Sequence, residues 1–196
     1  FEFFDRWYSH AGNDLIPREP FSEEDAARFV RLIAEKVKER DMIFHAVGHG
    51  WTAEPLGLDS RQGWRAAESA ELPEELRPFV AEINGRRELY GGVALNTNIC
   101  FSNAEGRRRI AEYVAGYAQN HQNVSFLHIW LADANRNHCE CALCREKRVS
   151  DWYVILLNEI DEALTARGLP TRIVFIEYYE TNCCLLYTSD AADDRI

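Results

Sequence analysis

The chain has 196 residues, 46% of them hydrophobic and 28% charged, with a formal net charge of −10. This is the composition of a folded globular chain, and its acidity argues against a nucleic-acid surface. No apolar run approaches the roughly 20 residues of a membrane-spanning helix.

Residues 1–8 are aromatic-rich and read as a strand end or a packed loop, followed by an irregular connection through Pro17 and Pro20. Because the chain begins at Phe1 rather than Met, an upstream export signal and the compartment are left open. Ser22 opens a helix, with Asp25 three residues on as a capping box. Ala26, Phe29, Val30, Ile33 and Val37 give it an apolar face. Residues 42–47 (MIFHAV) predict a buried strand that runs into Gly48-His49-Gly50-Trp51. Residues 57–85 are weakly patterned, with short helices punctuated by Pro73 and Pro78. Residues 93–95 read as a strand, and Asn96, Thr97 and Asn98 as a polar cluster facing a cleft. Ser102 and Glu105 form a second capping box, and the helix they open buries Ile110, Tyr113, Val114 and Tyr117. Arg107, Arg108 and Arg109 on it read as a solvated face.

Residues 124–131 (VSFLHIWL) predict the strongest strand, continuous enough in apolarity to suit a sheet covered on both faces. A loop carrying Asp133 and three cysteines follows. Ser150 caps a third helix with Tyr153, Leu156, Leu157, Ile160 and Leu164 at core spacing; Gly168 and Pro170 stop it. Residues 171–176 form a last strand ending at Glu177. Residues 184–196 resemble a translated sequencing adapter. The domain is therefore bounded at residue 183, as a fragment whose remaining strands lie elsewhere, with a non-native tail.

Alternating helices and strands imply an α/β fold with a parallel sheet and helical crossovers, best matched by a partial (β/α)8 (TIM-type) barrel, with an open doubly wound sheet as the alternative. In such sheets the functional groups stand at the carboxyl ends of the strands. No glycine-rich phosphate loop follows a strand, so a dinucleotide-binding fold has no support. The strand ends supply Asp133 and Glu177 as a candidate catalytic pair, the two carboxylates that sugar hydrolysis requires. His49, Trp51, Asn96, Asn98 and Tyr178 are candidate substrate-binding residues. Cys139-x-Cys141-x-x-Cys144 can chelate one structural zinc ion, with His138 as the nearest fourth ligand and Cys100 or a residue outside the fragment as the alternatives; a disulfide is the competing reading.

Taken together, FFDRWYSH, HAVGHGW, GGVALNTNICFSN, LHIWLAD with HCECALC, and SDWYVILLNEIDEAL resemble a bacterial family of unknown function found in large carbohydrate-active proteins. The resemblance implies a (β/α)8 barrel and a carbohydrate partner. A looser similarity is to β-N-acetylhexosaminidases, whose H-x-G-G-D-E strand end aligns with residues 128–133. It places Asp133 at the acid position and Ala132 where a substrate-orienting carboxylate would stand. Two functions follow as expectations. One is a glycoside hydrolase-like domain working by carboxylate acid/base chemistry on a polysaccharide or oligosaccharide. The other is a non-catalytic carbohydrate-binding or scaffolding module with a structural metal site.

Overall fold

The computed structural model describes residues 2–4, 22–60, 63, 64, 66 and 71–182. The Pro17–20 connection, most of the aromatic start and the adapter-like tail with Cys183 lie outside these residues.

Four short strands, β1 (Glu2–Phe4), β2 (His45–Val47), β5 (Phe126–His128) and β6 (Arg172–Val174), pair in parallel in the order β1-β2-β5-β6. Helix α1 (Glu23–Lys38) lies between β1 and β2, and α3 (Val149–Ala166) between β5 and β6. The β2–β5 connection holds an antiparallel hairpin, β3 (Glu82–Ile83) with β4 (Arg86–Arg87), and then α2 (Ala104–Asn120). The predicted barrel is not formed. β1 pairs only with β2 and β6 only with β5, so the sheet is open among the described residues, and closure would need hydrogen bonds between those two edges.

Register and the two-residue period of a strand sort the side chains. Ala46, Leu127 and Ile173 pair side by side and are buried in the same core as Ile110 and Val114 of α2 and Leu156, Leu157 and Ile160 of α3. The intervening residues His45, Phe126, His128 and Val174 are only half-buried. Val47 on that side is buried, but among the described residues only the Ala46–Leu127–Ile173 face joins the main core, not both faces as the apolar run suggested. All three core strands are shorter than their hydrophobic runs; Met42 and Ile43 before β2 and Phe175 and Ile176 after β6 are exposed, whereas Val124, Ile129 and Leu131 around β5 stay buried outside the strand.

Local chemistry accounts for the helix ends. Ser22 Oγ accepts from the Asp25 amide at 3.0 Å, and the Asp25 carboxylate accepts from the Ser22 amide at 3.2 Å, which is the predicted box. The Ser22 hydroxyl, donating to the same carboxylate at 2.7 Å, and then the Ser22 amide hold the Asp25 carboxyl below its ordinary range. The buried seam of α1 runs through Val30, Ile33, Ala34 and Val37, leaving Phe29 exposed. At α2 the cap is Asn103, not Ser102: its Oδ1 accepts from the Gly106 amide at 3.1 Å. The N-cap of α3 is Arg148, two residues before the expected Ser150. Ser150 is buried in the first turn, and the Asp151 carboxylate accepts from the Arg148 amide at 3.2 Å. Its C-terminus closes as predicted: Gly168, at φ 64°, donates to the Thr165 carbonyl, and the Leu169 amide donates to the Leu164 carbonyl. Residues 94–96 form a 3-10 turn where a strand was expected.

Arg107 is not part of a solvated face. Its side chain is 11% exposed, binds Glu159 of α3 through Nε and Nη2, and lies 5.6 Å over the Trp152 ring. α2 and α3 are thus joined by a partly buried ion pair as well as by small residues, Ala111, Ala115 and Ala118, that admit close approach.

Tyr153 of α3 links the ends of two strands. Its buried hydroxyl donates to the Ile129 carbonyl and accepts from the Ile176 amide at 3.3 Å. Burial raises its pKa well above the ordinary phenol value, so the hydroxyl keeps its proton. Tyr153→Phe leaves both backbone groups without that partner and is expected to lower stability by about 1–3 kcal/mol. Urea unfolding monitored by circular dichroism checks this.

Candidate metal centre and adjoining cleft

Three chain segments converge beneath the strand ends. Residues 80–82 and 98–100 run antiparallel: the Val80–Ile99 bridge is flanked by the Ala81 amide on the Asn98 carbonyl and the Cys100 amide on the Phe79 carbonyl. The loop after β5 then adds itself to β3, with the Glu140 amide donating to the Glu82 carbonyl at 2.7 Å. This brings Cys100 beside Cys139, Cys141 and Cys144.

The four sulfurs lie within 4.8 Å of one another, and all four residues are free thiols. Cys100 Sγ is 3.7 Å from Cys141 Sγ and 3.8 Å from Cys144 Sγ. A tetrahedral metal with sulfur bonds of about 2.3 Å has sulfur–sulfur edges of about 3.8 Å, whereas a disulfide needs about 2.05 Å. The cluster can therefore hold a metal ion, and its fourth thiol is Cys100. His138 is outside it. Among the described residues this is the single group of three or more metal-ligating side chains close enough to share an ion.

The surroundings suit thiolates. The Ser102 amide donates to Cys144 Sγ and the Glu82 amide to Cys139 Sγ, each at 3.3 Å. Ser102 Oγ is 3.3 Å from Cys100 Sγ, and the nearby Arg87 guanidinium adds to the lowering of that thiol's pKa. This role explains why Ser102 is not the helix cap. Among themselves the thiols share protons unevenly. Hydrogen bonds from Cys139 and Cys144 hold Cys100 far below its ordinary range, and the reciprocal contacts with Cys100 push Cys139 far up and Cys144 up to about 11. Sulfurs this close resist simultaneous ionisation, and a bound cation removes that restriction.

On the other side of the same loop is a cleft of about 220 Å³ at the carboxyl ends of β2, β5 and β6. His49, Trp130, Asp133, His138, Tyr178, Tyr179 and Glu180 line it, with Tyr153 and Ile176. His49 Nδ1 is 2.9 Å from the Leu131 carbonyl, which can only accept, so Nδ1 carries a proton and Nε2 faces Asp133 at 3.9 Å. Trp64 Nε1 donates to Asp133 Oδ2 at 2.9 Å. Glu180 Oε1 accepts from the Arg136 amide at 2.8 Å, and its Oε2 is 3.8 Å from His138 Nε2. Burial pushes the His138 imidazole down to about 4, against the opposing pull of Glu180. His138 Nδ1 is buried without a hydrogen-bond partner.

Of the residues singled out in the sequence, His49, Asp133, His138 and Tyr178 stand on the cleft. Glu177 is exposed and does not line it; the two-residue period of extended chain gives Ile176 and Tyr178 to the cleft and the intervening side chain elsewhere. Trp51 is 3% exposed and donates from Nε1 to the His128 carbonyl at 2.9 Å. Gly48 and Gly50, at φ 139° and 110°, let the chain turn it into the core against Tyr117. Asn96 and Asn98 support the loop instead of facing the cleft. Asn98 Oδ1 accepts from the Ala132 amide, and the Asn96 carbonyl accepts from Asn137 Nδ2. Glu180, Trp130 and Tyr179 also line the cleft, and of these only Glu180 carried no mark in the sequence. For Trp130 a signal existed: it continues the alternation His128–Trp130 away from buried Leu127, Ile129 and Leu131.

The sequence matches no family model, no curated protein and no solved structure.

Cys100→Ser and Cys144→Ser are each expected to abolish metal retention and lower Tm by about 5–10 °C, the consequence of losing roughly 2–3 kcal/mol in a chain of this size. His138→Ala keeps the metal. Elemental analysis of the purified variants, with thermal unfolding alongside, separates the two sets.

Proposed function

We propose that this chain is a zinc-braced carbohydrate-binding domain, with the zinc held by Cys100, Cys139, Cys141 and Cys144 and the sugar in the cleft beside it. The observation that carries the reading is the composition of the cleft: Trp130, Tyr178 and Tyr179 stand with the Asp133 and Glu180 carboxylates at the carboxyl ends of parallel strands. Flat aromatic rings match the apolar faces of pyranose rings, and carboxylates accept hydrogen bonds from sugar hydroxyls.

Zinc follows from the ligand chemistry. Four thiolates in a tetrahedron favour zinc over harder ions, and a site with all four positions filled by protein is structural. Its place supports that role, because the loop from Asp133 to Cys144 forms a cleft wall on one side and carries three of the thiols on the other. Zinc supplies a fixed anchor for this loop, and His138 and Asp133 meet the ligand.

A hydrolytic form of the reading is favoured by one observation, that two carboxylates line the cleft; they are Asp133 and Glu180, and Glu177 has no place in it.

The intact protein is expected to contain one zinc per chain and to bind oligosaccharides in an array followed by calorimetry. Trp130→Ala and Tyr178→Ala should each weaken binding by roughly tenfold, since an aromatic contact is worth about 0.5–1.5 kcal/mol beyond its buried area. Zinc-loaded protein that binds no saccharide in the array defeats the proposal. Release of reducing ends by the wild type, lost in Asp133→Asn and Glu180→Gln, establishes the hydrolytic form.

A further inference from the structure

The charge of the cleft narrows the ligand further. The two acids that line it, Asp133 and Glu180, are accompanied by no lysine or arginine among the described lining residues. Each carboxylate keeps exposed surface, with side-chain exposures of 42% for Asp133 and 31% for Glu180. Their neutral donors are already in place: Trp64 Nε1 for Asp133 and the Arg136 amide for Glu180. These bonds orient the two groups without neutralising them.

The remaining wall is aromatic. Tyr178 and Tyr179 stand perpendicular with ring centroids 4.3 Å apart, more than half exposed at the cleft mouth, and Trp130 continues the wall inward beside His49 at 5.2 Å. The hydrogen bond with Tyr179 raises the Tyr178 phenol pKa, with burial and then the charges of Tyr179 and Asp133 adding less. Aromatic faces and carboxylates in one pocket are the two groups that attract an organic cation, through the ring quadrupole and by direct charge. They suit an anionic ligand poorly: its charge would enter beside two carboxylates that already face the cleft histidines, His49 at 3.9 Å and His138 at 3.8 Å, with no lysine or arginine among the described lining residues.

A metal cation is a poorer match. Among the described residues the cleft acids and histidines do not converge into a metal-binding group, whereas the four cysteines do. The pocket is also walled by apolar surface from Trp130, Ala132, Ala134 and Ile176, which contributes no ligands to a hydrated ion but packs against a ring.

We infer that the cleft selects a ring-framed ligand bearing a protonated amine, which among saccharides is an amino sugar with a free ammonium group, held by Asp133 and Glu180 against the Trp130 and Tyr178 rings. The inference rests on the saccharide reading and adds the charge of the sugar to it.

The test compares four ligands of equal length on the zinc-loaded intact protein by calorimetry: glucosamine oligomers, the same oligomers N-acetylated, neutral gluco-oligosaccharides and oligogalacturonate. The amine-bearing oligomers are expected to bind at least roughly tenfold more tightly than the acetylated ones, the scale of one desolvated cation–aromatic contact, with oligogalacturonate weakest. The preference should shrink as salt rises, because exposed charges are screened. Asp133→Asn and Glu180→Gln should each bring the ratio of amine-bearing to acetylated affinity toward one, with zinc content and the circular dichroism spectrum confirming that the variants are folded. Equal affinity for the amine-bearing and acetylated oligomers, or tighter binding of oligogalacturonate, overturns the charge inference and leaves saccharide binding standing. Failure of all four ligands to bind overturns both.

Discussion

The convergence of four thiols is the constraint on which the rest of the site depends. Each sulfur comes from a segment with a separate structural task. Cys100 ends the stretch paired with residues 79–81, Cys139 and Cys141 flank the amide that joins β3, and Cys144 opens the turn leading to α3. Four sulfurs this close, three of them on buried residues, are poorly accommodated without a cation, since their negative charges repel and their protons must be shared. The amides of Ser102 and Glu82 and the guanidinium of Arg87 supply partial compensation that a dication completes.

From that centre the cleft is built outward. The residues between Ile129 and Cys139 have no regular secondary structure, yet Ile129 and Asn137 are fully buried. Such a segment persists only when its polar groups find partners. Leu95 accepts from the Asp133 amide, Asn98 from the Ala132 amide, and the Asn137 amide group reaches back to the Asn96 carbonyl. The polar run Asn96–Thr97–Asn98 thus holds the cleft loop from behind, while the short chain between β6 and Thr181 closes the opposite side. Tyr153 ties these two walls together through Ile129 and Ile176.

Much of this was legible in the chain before folding, for reasons that can be stated residue by residue. Helix α1 follows from Ser22 and Asp25 because a capping box involves residues three apart. The stop of α3 follows from Gly168 because a left-handed residue is needed at that point. The parallel pairing of β2, β5 and β6 follows from apolar runs separated by helices. The barrel expectation failed because closure is a property of the sheet edges, and no local pattern in β1 or β6 states whether they meet. Glu177 was misplaced because a one-residue difference in an extended segment exchanges the two faces, so Tyr178 is on the cleft and its neighbour is not.

The sequence by itself determined the local elements and the chelating spacing Cys139-x-Cys141-x-x-Cys144, because capping, amphipathic period and turn geometry act over a few residues. Only the tertiary structure decided that the fourth sulfur is Cys100, 39 positions before Cys139, and that His138 turns instead to Glu180 and the cleft. It likewise decided that Trp51 is core while Trp130 is wall. These choices depend on which distant segments hydrogen-bond to one another, chiefly residues 80–82 with 98–100 and with Glu140, and long-range pairing of that kind leaves no periodic trace in the chain.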